Sequence, residues 1–155
     1  MTAENLKKYI VKQQISIQWG PVLSAMAAEM SEVSEKSDLR DFFFRIGERF
    51  ASKEKNKFKN VETLSELENS LNSYWTSINW GWVELEEKDG TIDITHNCSP
   101  IAEAFGNSEL SWTVGLLEGF YQTLFFEFGA NDEMKINCIG ESADGLDLHL
   151  KFSSS

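Results

Sequence analysis

Hydrophobic positions recur at helical spacing through the first half of the chain and switch to alternation at Trp82. Trp19, Val22, Leu23, Met26, Ala27, Met30 and Val33 predict a helix over about residues 18–35, with Pro21 in its first turn, where a missing N–H costs nothing. Leu39, Phe42, Phe43, Ile46 and Phe50 predict a second, opened by Ser37 as N-cap, with Phe44 and Gly47 beside its apolar face. Thr63 and Glu66 form a capping box before Leu64, Leu67, Leu71, Tyr74, Trp75 and Ile78, a third helical stripe.

Val83 and Leu85 then alternate with Glu84 and Glu86, and Ile92 and Ile94 with Thr91, Asp93 and Thr95. Asp89-Gly90 between the two runs is a strong hairpin signal, and the Glu84/Glu86 phase reads as the wet face of the sheet. Residues 97–109, with Pro100 and Gly106, read as a loop. Ser108 then opens a long helix to Phe128 that is apolar nearly all round, and so is covered on several sides. Gly115 and Gly119 lie one turn apart on it and leave a groove for a second backbone; each costs about 1 kcal/mol of helix propensity against Ala. Gly129 ends the helix. Met134, Ile136 and Cys138, then Leu146, Leu148, Leu150 and Phe152, flank Asp144-Gly145 as a second hairpin. The expectation is one α+β domain over 1–155: three N-terminal helices, then β-β-α-β-β with a four-stranded antiparallel sheet packed against helices. Residues 1–15 mix apolar and polar positions and read as a flexible N-terminal arm, 16–152 as the folded core, and 153–155 as a frayed tail.

The chain has 155 residues, enough to bury a core without disulfides or a structural metal. No apolar run approaches the roughly 18 residues of a membrane span. Polar residues from Lys12 to Gln18 interrupt any signal-peptide core, which places the expected location in the cytoplasm without membrane insertion. A net charge of −11 excludes a general nucleic-acid binder, because phosphate binding needs a cationic face. Residues 52–60 are a basic island in this acidic chain and read as a solvated helix end.

Candidate chemistry is sparse. His96 and His149 have no neighbours at metal-ligand spacing and read as surface or edge histidines, and Cys98 and Cys138 read as buried or half-buried thiols. No phosphate loop, dinucleotide fingerprint or nucleophile elbow is present, so no catalytic residue, metal or cofactor is nominated and a non-enzyme is favoured. Aromatic density is high instead, with five Trp, eleven Phe and three Tyr. Such a surplus suits either a core or an interface between copies, since homo-oligomer interfaces resemble a core cut in half. Trp112, Gly115, Gly119 and Phe126 on the long helix are therefore candidates for subunit contacts.

Two stretches carry a family likeness. Ile78-Asn79-Trp80-Gly81 followed by Val83 and Leu85, and Trp112 with Leu117-Glu118-Gly119 and Tyr121, resemble the corresponding segments of the bacterial cellulose synthase operon protein D family over about residues 16–152. The resemblance implies a non-catalytic accessory subunit of a cellulose-secretion complex: an octameric, ring-like tetramer of dimers that organises synthase complexes and guides nascent β-1,4-glucan chains. It implies as partners other copies of itself, the other synthase subunits and the glucan chain. Because N-terminal segments line the passages in that family, Asn5, Lys7, Lys8 and Tyr9 are candidate glucan contacts. A second resemblance, of LLEGFYQTLF through GESADGLDLHLKF, is to vinyl-reductase-type ligand-binding domains related to transport-particle subunits. It implies a small-molecule sensor with a closed apolar pocket of several hundred Å³ beneath the sheet.

Overall fold

A computed structural model describes residues 2–154 and builds them as two helix-then-hairpin units behind three leading helices. The leading helices are α1 (Ala3–Gln14), α2 (Gly20–Val33) and α3 (Lys36–Glu54). The first unit is α4 (Leu64–Ser77) with strands β1 (Trp82–Lys88) and β2 (Thr91–Asn97). Two short helices, α5 (Ile101–Phe105) and α6 (Leu110–Thr113), precede the second unit, which is α7 (Gly115–Glu127) with β3 (Met134–Glu141) and β4 (Leu148–Ser154). As the alternation predicts, the four strands form one antiparallel sheet, and its order is β1-β2-β4-β3.

Local chemistry sets the hairpins. Asp89 and Gly90 both take positive φ, 53° and 77°, the geometry of a two-residue turn whose twist matches the strands. The second connection is longer. Ser142 N–H donates to Asp147 O (2.9 Å) and Gly145, at φ 74°, donates to Ser142 O (2.9 Å). A bulge between Cys138 and Gly140 shifts the β3 register.

Register puts Val83, Leu85, Ile92, Ile94, His96, Ile136, Cys138, Leu148, Leu150 and Phe152 on one face. That face packs into one cluster with Trp75, Leu117, Phe120, Tyr121 and Leu124. His149 lies on the opposite, wet face beside Thr95, and Asn97 donates there to Glu84 (3.3 Å).

Both edge strands are closed by helix side chains. Val83 N–H donates to Asn72 Oδ1 (2.6 Å), Asn72 Nδ2 donates to Val83 O (2.9 Å), and Leu85 N–H donates to Glu68 (2.7 Å). On the far edge Ile136 N–H donates to Gln122 (3.0 Å) and Cys138 N–H to Glu118 (2.8 Å). In each unit two polar residues one helical turn apart meet alternate N–H groups of the following strand. An edge row of unpaired donors is thereby taken up internally.

Several boundaries differ from the sequence reading. Residues 3–14, read as part of an arm, form α1. Thr2 caps it by accepting from Asn5 N (3.1 Å), and its Val11 is buried with Cys98 and Leu146. Ser153 and Ser154, read as frayed, pair with Lys135 and Met134; Ser155 and Met1 lie outside the described residues. Glu35, not Ser37, is the N-cap residue of α3, and no side chain bonds there. Thr63 does cap α4, accepting from Glu66 N (3.1 Å). The predicted 108–128 helix is broken. Ser108 sits in a 3-10 turn, and Thr113 Oγ1 bonds back to Glu109 O (2.9 Å), a contact that competes with straight helix continuation before α7. The basic island ends α3 in a 3-10 turn around buried Phe58, with Lys57 paired to Glu54 (3.2 Å) and Lys55 to Glu127 (3.7 Å).

Candidate functional site

The two family-like motifs converge on one buried histidine. Ile78-Asn79-Trp80-Gly81 is the exit turn of α4: Trp80 N–H donates to Trp75 O (2.9 Å) and Asn79 N–H to Thr76 O (3.3 Å), with Asn79 and Gly81 at φ 59° and 78°. A Cβ at Gly81 would stand 1.9 Å from Asn97 O, so only glycine passes that strand. The turn lays Trp80 flat on Trp75, ring centres 5.4 Å apart at 13°, and delivers its carbonyl to His96 Nε2 at 2.6 Å. From α7, Tyr121 brings its hydroxyl to His96 Nδ1 at 2.6 Å. A carbonyl can only accept, so Nε2 carries the proton and Tyr121 donates to Nδ1. His96 is fully buried, and that burial pushes its pKa down to about 4. The same burial pushes Tyr121 well above the usual phenol range. This histidine is therefore a neutral, saturated core group and not the surface residue read from the sequence. Its place was visible in the alternation, because Ile92, Ile94 and His96 share one phase.

The remaining motif residues close the helix pair. Leu117 is in the core, and Glu118, 4% exposed, holds Arg40 through two bonds of 2.8 and 2.6 Å. Gly115 and Gly119 do admit a second backbone, and it is α3 of the same chain. Cβ atoms there would meet Arg40 O at 2.5 Å and Phe44 O at 2.0 Å, while one on Gly47 would meet Leu116 O at 2.0 Å. Trp112 is fully buried against Phe43 (4.9 Å, 85°), its indole N–H donating to Glu109 (2.7 Å). Phe126 is half-buried near Phe152. Of the residues read as subunit contacts, Trp112, Gly115 and Gly119 thus spend their surface within the chain. The sequence shows that something packs on the glycines, and the fold supplies it from α3.

The N-terminal candidates separate. Lys7 is committed to an ion pair with Asp147, which also accepts from Cys98 N–H (3.1 Å). Lys8 faces outward beside Glu4 (3.4 Å), and Asn5 is exposed. Tyr9 and Ile10 form one wall of an open groove of about 330 Å³ whose other wall is Asn79 and Trp82. Among the described residues eleven large hydrophobic side chains are exposed, and eight of them lie from Leu6 to Val33. The sequence did not disclose this surface, because the spacing along α2 gives a stripe without saying which way it faces.

No group of three or more described His, Cys, Asp or Glu side chains stands where it could hold a metal ion. Burial pushes both thiol pKa values up, that of Cys138 to about 11. The sheet's inner face is filled by side chains. An apolar pocket of about 200 Å³ lies away from the sheet, between Leu23, Trp80, Ile101 and Leu116.

The family model for the cellulose synthase D-subunit matches residues 5–151. The chain belongs to the cellulose synthase D-subunit family. Membership ties it to cellulose synthesis and to the synthase complex. A comparison with curated proteins gives no match. Within the described residues of this family member no helix is long and apolar enough to cross a membrane.

Proposed function

We propose that this chain is a non-catalytic scaffold subunit of the bacterial cellulose biosynthesis and secretion complex, acting in the cytoplasm. Copies assemble into a homo-oligomeric ring, an octamer built as a tetramer of dimers, that organises synthase complexes and guides nascent β-1,4-glucan chains. One observation carries the reading: apolar side chains crowd the exposed faces of α1, α2 and their linker, with Ile17 95% and Trp19 61% exposed. Large contiguous apolar patches on a protein surface mark interaction sites. The histidine on which both motifs converge is sealed in the core, which suits architecture better than chemistry. Asn5 and Lys8, on the outward flank of α1, are the glucan contacts in this reading, since amide and ammonium groups donate to sugar hydroxyls. Light scattering after size exclusion tests the assembly, with an octameric mass expected and a stable monomer at micromolar concentration fatal to it. Chemical-shift perturbation by cello-oligosaccharide at Asn5 and Lys8 tests the glucan contact, and unmoved resonances would remove it.

A further inference from the structure

We infer that copies join head to tail, the exposed stripe of α2 from one copy seating in the groove between α1 and Trp82 of the next. The inference rests on the homo-oligomer reading above and names the surface that builds it. At about 100° per residue, Trp19, the N-cap residue of α2, and Val22, Met26 and Val33 within it fall within about 60° of one another. All four are exposed, Met26 by 54%. On α1, Tyr9 and Ile10 stand away from buried Val11 and look across the groove at Trp82, which is itself exposed. The stripe is convex and apolar, and the groove is concave, with Tyr9, Ile10 and Trp82 as its apolar walls beside Gln13, Gln14, Thr76 and Asn79.

Charge selects the pairing. On α1, Lys7 and Lys8 already pair with Asp147 and Glu4 within the chain, which leaves Lys12 to meet a partner, whereas α2 carries Glu29 and Glu32 and no cation. Lys12 flanks Tyr9 on the helix surface, and Glu29 flanks the Val22–Met26 stripe. Placing α2 against α1 of another copy sets Lys12 toward Glu29. Placing α2 against its own twin would crowd acids together in a chain of net charge −11. Strand pairing between copies is disfavoured, because Asn72, Glu68, Gln122 and Glu118 already occupy two N–H groups on each sheet edge. Two different surfaces in contact generate a ring when the rotation closes.

Met26→Glu and Tyr9→Glu test this in the full chain. Tyr9 is 59% exposed, so neither change breaches the core, and circular dichroism verifies the fold. Each variant alone is expected to elute as a smaller species than the wild type in light scattering. Mixed in equal amounts, they are expected to form a species larger than either, because one intact stripe meets one intact groove. Wild-type chain that is monomeric overturns the ring reading and this contact together. Oligomeric wild type with both variants unchanged in mass overturns the contact alone. A mixture that fails to grow overturns the head-to-tail arrangement. Cello-oligosaccharide shifting Trp82 while both variants keep full mass gives the groove to glucan and overturns the contact.

Discussion

The hydroxyl of Tyr121 lies 2.6 Å from Nδ1 of His96, and both groups are fully buried. That pair joins α7 to β2, and the opposite ring nitrogen joins β2 to the exit turn of α4. The two segments that carry the family likeness thus meet through a residue belonging to neither. Their shared role is to lock the first helix-hairpin unit onto the second.

Tyr121→Phe removes the donor and leaves Nδ1 buried without a partner. The expected loss is about 1–3 kcal/mol, the desolvation cost of an unsatisfied buried acceptor. Urea unfolding reads it as a lower midpoint at unchanged slope. A change below about half a kcal/mol would mean that the core rehydrates or repacks around the ring.

The same histidine gives a pH signature. Its pKa falls from 6.5 to about 4 on folding, because burial disfavours the charged form. Between those values the unfolded chain binds the extra proton and the folded chain does not. Stability is therefore full above pH 6.5 and declines as pH falls toward 4, by about 3 kcal/mol in total. Carboxylates add their own acid limb, so the measurement is a difference: melting temperature against pH for the wild type and for His96→Gln. Curves that run parallel from pH 7 to about 4 would show that His96 titrates normally in the folded protein.

Gly119→Leu separates a packed helix pair from a subunit groove. Its Cβ would stand 2.0 Å from Phe44 O, and backbone cannot yield as a flexible side chain does. The expected outcome is loss of cooperative unfolding, with the chain recovered as aggregate. A well-folded protein of reduced assembly mass would return the groove to the subunit interface.

How the chain discloses its fold follows from the range of each signal. Asp89-Gly90 and Thr63-Glu66 are local devices complete within a few residues, so hairpin and cap could be read directly. Gly115 and Gly119 announce a close neighbour, but its identity depends on Gly47 arriving from a distant helix. The first helix is held by Lys7 to Asp147 and by Val11 against Leu146, partners far along the chain, so its own pattern looked like an arm. On α2 the spacing disclosed a stripe, while which way the stripe faces was settled by what the rest of the chain left uncovered. Exposed Trp19, Val22 and Met26 are there the departure from rule that marks the candidate surface.

The closed sheet edges make the last prediction. Asn72 satisfies both the N–H and the C=O of Val83, and Gln122 satisfies the N–H of Ile136, each from the helix that precedes the strand. Asn72→Leu and Gln122→Leu remove the polar cover. Each is expected to cost about 1–3 kcal/mol, because part-buried backbone groups lose their partners. Each should also leave a strand edge open to pairing with another chain, so light scattering on gentle heating should rise earlier than in the wild type. Asn72→Leu should be the more severe, since it strips two backbone groups and not one. Wild-type stability with an unchanged onset of scattering in both variants would mean that water serves those edges as well as the side chains do.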